Sequence, residues 1–312
     1  MSEIKTFDEF YDWFKDEFKH YATKGIESVA LVEKMWSTYW PEPFLSSTVQ
    51  DCFKKGIDVT GGGARYNNSA LNGCGFANAV DSLAAIKKAV FEEKLVTLPE
   101  MAKAIDCNFE GYVDLHYFVS NKCPKYGNDD DETDKFYVDI IDMMYELTEN
   151  RTNSRGGKYQ IGLYSVEDHS FMGECTGALP DGRLSGVALA NAMGPVQGIK
   201  TEGPTAVVNT VVKADVANAG NGMVLDLKFN PAFMGKKEHS DALRHLINSY
   251  FNRGGIEIQF NVIARETLLA AQKNPKEYKD LVVRVSGFSA YFCNLLETTQ
   301  NEIILRSEYD HM

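Results

Sequence analysis

From Gly255 to Val262 the chain reads Gly-Ile-Glu-Ile-Gln-Phe-Asn-Val, and no other stretch constrains its fold so tightly. Successive side chains of a strand point to opposite faces. Ile256, Ile258, Phe260 and Val262 therefore share one face, and Glu257, Gln259 and Asn261 share the other. Such strict alternation predicts a strand with one face on a core and the other on solvent or a polar cavity. A helical run follows from Glu266 to Lys273, then a turn at Pro275, then the apolar run Leu281-Val282-Val283. Ala206 to Val212 and Met223 to Phe229 also have strand composition. Strands separated by helices predict an α/β architecture.

The first half is helical in pattern. Phe7, Phe10, Tyr11, Phe14, Phe18 and Tyr21 recur at three- and four-residue spacing, which puts them on one helix face. Thr6 and Glu9 stand in capping-box register at its start. The stripe reads as core, with a docking surface for a partner as the other reading. Ala79 to Phe91 predicts a second helix with Leu83, Ile86 and Val90 inward. Leu98 opens a third behind the cap Thr97, with Glu100 three positions on, and Lys135 to Leu147 forms a fourth. Glycine-rich turns at 61–63, 127–129 and 155–157 separate them.

Composition excludes several function classes. Hydrophobic residues at 44% support a packed core, and a net charge of −12 argues against nucleic-acid or anionic-membrane binding. No apolar run approaches the roughly 20 residues of a membrane helix, and the N-terminus lacks a signal-peptide layout. The cysteines Cys52, Cys74, Cys107, Cys123, Cys175 and Cys293 are scattered without a C-x-x-C pair, which suits reduced thiols in a cytoplasm. The acidic run Asp129 to Glu132 reads as a solvated loop and not a metal site, because consecutive carboxylates cannot all converge on one ion. No metal is expected.

After the Leu281 run comes Arg284-Val285-Ser286-Gly287-Phe288-Ser289-Ala290-Tyr291-Phe292. This resembles the signature of the glycyl radical enzymes, in which arginine and valine precede the radical glycine. The resemblance continues through Gln300–Arg306. It also extends back through Gly62–Asn67, Asp81–Lys87, Pro124–Asp129, Leu179–Arg183, Gly203–Ala206 and Gly255–Asn261, so that practically the whole chain is covered. It implies half of a ten-stranded α/β barrel with surrounding helices, plus a C-terminal glycine-radical loop. Residues 1–190 would belong to the barrel domain and 191–312 to the glycine radical domain.

Glycine suits a backbone radical. Spin on an α-carbon is delocalised by the flanking amide nitrogen and carbonyl when the centre is planar, and a side chain would crowd that planarity. The plainer reading of Gly287 is a glycine that ends a strand. The resemblance implies Gly287 as the radical site, within the motif Arg284, Val285, Ser286 and Phe288. No cofactor would be bound; a separate radical-SAM activating enzyme would remove one hydrogen atom. The glycyl radical would then oxidise a cysteine thiol, whose thiyl radical attacks a small-molecule substrate.

That cysteine belongs to a Gly-Cys-x-Glu loop in the family, and this chain has none. Cys74, in Asn72-Gly73-Cys74-Gly75, lacks the acid in register; Cys52 and Cys293 are expected to pack. The resemblance therefore implies a partner segment or subunit with the cysteine, and an enzyme of higher oligomeric order. Met1 ahead of a capped helix fits a natural split gene and equally a trimmed or processed chain. Tyr164, Gln259 and Asn261 are candidate cavity residues, with a buried structural tyrosine and satisfied backbone groups as the plainer readings. The resemblance places His169, like Tyr164, in a stretch that approaches the substrate cavity, with a surface histidine as the plainer reading, and Asp181 with Arg183 reads as a turn closed by an ion pair. The Leu179–Arg183 block and the Ser289–Phe292 tail lean towards a radical lyase of the dehydratase, decarboxylase or C–N/C–S lyase group. A formate acetyltransferase type, or a replacement radical module for an oxygen-damaged enzyme, are the alternatives.

Overall fold

The computed structural model describes residues 4–310, and the Met1 start lies outside them. Thr6 opens the long helix Phe7–Tyr39: its hydroxyl accepts from Glu9 N–H at 3.2 Å, and the Glu9 carboxylate accepts from Thr6 N–H at 3.1 Å. Two donors that a helix start leaves bare are thereby satisfied. The aromatic stripe is core over the first turns. Phe10 and Tyr11 are buried, and Phe7 and Tyr11 both pack on Phe136. Beyond them Tyr21, Trp36 and Tyr39 are exposed.

Thr97 and Glu100 build the same capping box for the helix Leu98–Asp106. The predicted Ala79–Phe91 helix is α-helical as Phe76–Ile86 and continues as a π-helix over Lys87–Glu92. Asp130 caps the helix Asp131–Thr148, accepting from Thr133 N–H at 2.7 Å. Asp129, Asp131 and Asp134 close around Lys213 Nζ at 2.7–2.9 Å, so the acidic run is a cap and an ion-pair cluster. Among the described residues no group of His, Cys, Asp or Glu is arranged to hold a metal ion. None of their helices is long and apolar enough to cross a membrane.

The strands are short. β1 (Ser69–Asn72) pairs in parallel with β2 (Tyr159–Gly162). β3 (Asp226–Phe229) lies between β4 (Gln259–Asn261) and β7 (Glu308–Tyr309), parallel to both. β5 (Val282–Arg284) and β6 (Ser289–Tyr291) form an antiparallel hairpin.

The expected half of a ten-stranded barrel is not what forms. The described sheets have two, three and two strands, all open, and no sheet curls shut. A barrel requires each strand to be paired on both edges; in the order β4-β3-β7 only β3 is. The fold is mixed α/β, helix-rich, with small open sheets. Ala206–Val212 is likewise no strand: Pro204–Val211 is a helix. Its valines mimic β composition, but Pro204 sits at the first helical turn, where a missing N–H costs nothing.

One large core joins the aromatic stripe to the helices Phe76–Ile86 and Asp131–Thr148 and to the parallel strands. A separate cluster of Leu268, Ala271, Val283, Val285, Phe292, Ile303 and Ile304 sits under the β5–β6 hairpin. That cluster seats the site.

Candidate functional site

The β5–β6 hairpin turns through Val285-Ser286-Gly287-Phe288, closed by Val285 N–H to the Phe288 carbonyl at 2.9 Å. Gly287 has φ +83°, in the left-handed region where side-chain-bearing residues are strained. A methyl group there would meet only Val224 Cγ2, at 3.4 Å. Val285 and Ser286 are buried and Phe288 half-buried, whereas Gly287 is exposed. The apolar residues on either side anchor the turn, and the glycine stands at its open tip.

Side chains from distant elements clamp this turn by its backbone. Asn261 pairs with Arg284 as a strand would, donating to its carbonyl at 2.8 Å and accepting from its N–H at 2.9 Å. Gln259 Oε1 accepts from Gly287 N–H at 3.2 Å and from Arg284 Nε at 2.9 Å. Thus the polar face of β4 is buried and serves the loop, while the apolar face packs on the large core through Ile258 and Phe260, with Ile256 and Val262 exposed beyond the strand. Ser286 Oγ accepts from Ser165 N–H at 3.3 Å, one residue past Tyr164. Tyr164 itself accepts from Asn221 Nδ2 at 2.7 Å and touches the loop only through this neighbour.

Behind the loop lies a buried charge cluster that sequence reasoning missed. Arg306 donates to the carbonyls of Arg284 at 3.2 Å and Val285 at 2.7 Å. It also makes a two-pronged bond to Glu302, at 2.9 and 2.8 Å. Asp226 accepts from Gln259 Nε2 and, at 2.7 Å, from Asn191 Nδ2, which also reaches the Val285 carbonyl at 3.1 Å. Burial pushes the Asp226 carboxyl up to about 7, against the pull of Arg306. For Glu302 burial also works upward, but Arg306 and His169 outweigh it and hold the carboxyl well below the usual range.

The signal for part of this cluster was present: Glu302 and Arg306 stand four apart on the terminal helix Glu297–Leu305 and its cap. Nothing local marks Asp226 or Asn191. His169 is no surface residue; it is fully buried, 3.3 Å from Glu302. The Asp181–Arg183 turn forms without its ion pair. Asp181 accepts from Arg183 N–H at 2.8 Å, while the guanidinium bonds the carbonyls of Gly173, Thr176, Gly177 and Val187.

All six cysteines are free thiols. Cys293 donates to the Tyr278 carbonyl at 3.4 Å, and Cys52 is buried. Cys74 comes nearest the loop by bonding, 3.7 Å from Ser165 Oγ, and burial pushes its thiol up, away from the reactive thiolate.

Comparisons with known proteins agree with this geometry. The pyruvate formate lyase-like family model matches residues 1–173, and the glycine radical model matches residues 189–293. The chain is 40% identical to trans-4-hydroxy-L-proline dehydratase of Clostridioides difficile, over 98% of this chain and 38% of that protein. It is 36% identical to (2S)-3-sulfopropanediol dehydratase of Klebsiella oxytoca, over 99% and 38%. The glycerol-bound B12-independent glycerol dehydratase of Clostridium butyricum superposes with a TM-score of 0.91 at 40% identity, over 98% of this chain and 39% of that one. The chain thus spans less than two-fifths of the length of the curated relatives it matches.

Proposed function

Because the chain belongs to the glycyl radical enzymes of the pyruvate formate lyase-like family, we propose that Gly287 stores the radical of a lyase-type enzyme and passes it to a cysteine outside this chain. The observation that carries this reading is the clamped, exposed tip: a glycine with room for a methyl group, held by long-range hydrogen bonds to its neighbours, and presented outward.

A radical store needs a fixed backbone and exclusion of water and oxygen. The clamp supplies the first. Covering the tip falls to a partner segment that also brings the thiol, because no Gly-Cys-x-Glu loop exists in this sequence. The reaction sequence starts when a radical-SAM activating enzyme removes one hydrogen atom from Gly287. The radical then takes a hydrogen atom from the partner thiol, and the thiyl radical takes one from the substrate. The dehydratases among the relatives support elimination from a small polar substrate.

The test is anaerobic activation of this chain together with its cysteine-bearing partner. A doublet EPR signal is expected, abolished by Gly287→Ala. Brief admission of air should then cut the backbone at Gly287. An activated, turning-over sample with no signal would sink the reading. Turnover by this chain alone would sink the partner.

A further inference from the structure

We propose that Asp226 is a positioning residue that decides which end of the Gln259 carboxamide faces Gly287. The inference rests on the radical reading of Gly287. A carboxamide is nearly symmetric in shape but not in polarity: one end only donates and the other only accepts. Two donors converge on the oxygen end, Gly287 N–H at 3.2 Å and Arg284 Nε at 2.9 Å. The nitrogen end donates to Asp226 Oδ1. Above about pH 7, where Asp226 is ionised, the carboxylate can only accept, so it admits Gln259 in this orientation and no other, and the tests below are run there.

Asp226 is itself fixed from behind. Its second oxygen takes Asn191 Nδ2 at 2.7 Å and lies 3.5 Å from Arg306 Nη1, and its side chain is only 4% exposed. The donor direction therefore runs unbroken: Arg306 and Asn191 into Asp226, Gln259 into Asp226, and Gly287 into Gln259. Asn261, on the same strand face, holds Arg284 by N–H and carbonyl, so the loop cannot slide to find another acceptor.

The polarity matters to an α-carbon radical because the adjacent amide nitrogen donates electron density into the half-filled orbital. An acceptor on that N–H enriches the nitrogen and strengthens the donation; a donor placed there would weaken it and leave the N–H unpaired. Protein groups commonly tune a reactive centre in this indirect way.

Asp226→Asn tests the idea with almost no change of shape. Arg306 and Asn191 still require an oxygen on their side, so the new NH2 faces Gln259 and forces its amide to flip. Gly287 N–H and Arg284 Nε then meet a donor. Adding Gln259→Glu restores the original polarity, with the new NH2 donating to one carboxylate oxygen and Gly287 N–H to the other. Residue-resolved hydrogen exchange on the full chain should show the Gly287 amide exchanging about tenfold faster in Asp226→Asn, returning to within about twofold of wild type in the double variant. In the activated, partner-bound enzyme the half-life of the glycyl EPR signal should fall and recover in parallel.

Unchanged exchange and half-life in the single variant would overturn the proposal, as would failure of a folded double variant to recover. If wild type gives no glycyl signal, the radical reading fails and takes the tuning role with it, while the exchange experiment still decides whether Asp226 orients Gln259.

Discussion

Two glycine turns in this chain look alike and are built on opposite logic. Gly182 (φ +94°) and Gly287 (φ +83°) both take left-handed backbone, and in both an arginine guanidinium ties down nearby carbonyls. At Gly182 a methyl group would run into the Ser120 side chain, and Arg183 bonds carbonyls within ten residues of itself. At Gly287 a methyl group meets ordinary van der Waals contact, and the holding groups arrive from Asn191, Gln259, Asn261 and Arg306. The first glycine is there for space. The second has space, and what asks for glycine there is its left-handed backbone together with the radical proposed for it.

Substitution should separate the two. Gly287→Ala is expected to abolish the EPR signal and turnover completely, while left-handed strain lowers stability by only about 1–2 kcal/mol in denaturant titrations. Gly182→Ala should do the reverse, costing about 2–4 kcal/mol from strain and overpacking while the folded fraction keeps its signal. A retained signal in Gly287→Ala would collapse the distinction.

The arginines come next. Arg306→Met strands the buried Glu302 and Asp226 carboxylates and should cost about 3–5 kcal/mol. Arg183→Met frees only carbonyls, at about 1–3 kcal/mol. Equal losses in thermal or chemical unfolding would mean that the clamp is no more coupled than the local turn.

A smaller effect lies in pH. Asp226 is raised from an ordinary carboxylate value to about 7, so between about pH 4 and 7 the folded chain keeps a proton that the unfolded chain has lost. Stability therefore falls as pH rises through that window. Glu302 is depressed, so its contribution is present above its ordinary value and is lost as pH falls through the lowered one. Subtracting the unfolding profile of Asp226→Asn from that of wild type should isolate the first slope; a flat difference would place the proton elsewhere. The smallest effect is expected from Cys74→Ser, within about 0.5 kcal/mol in stability because the contact to Ser165 is kept, and within about twofold in turnover. A dead Cys74→Ser enzyme would put the thiol on this chain.

What the sequence disclosed follows how local each cause is. The caps at Thr6 and Thr97 depend on a residue three positions away and were legible. So was the alternation of β4, with Gln259 and Asn261 together on a candidate cavity face; which groups of the 284–287 loop they bond is set only by the fold. The helix Pro204–Val211 was hidden because its valines fit a strand as well, and packing against the core decided between them. His169, Asn191 and Asp226 carry no local signal at all, since their partners lie 33 to 133 residues away. The barrel expectation came from resemblance, and the short, open sheets of this chain do not bear it.

The position of Gly287 before β6, the terminal helix and β7 has a practical consequence for damage. Arg306, which grips the loop, lies downstream of the glycine, and so do the strand that pairs with β5 and the one that pairs with β3. A chain severed at Gly287 would still be stitched together by both sheets, the apolar cluster beneath the hairpin and the Arg306–Glu302–Asp226 charges. Such a wound would be silent in size-exclusion or light-scattering measurements and would come apart only under denaturants. Native inventories of this protein would count dead molecules as whole ones.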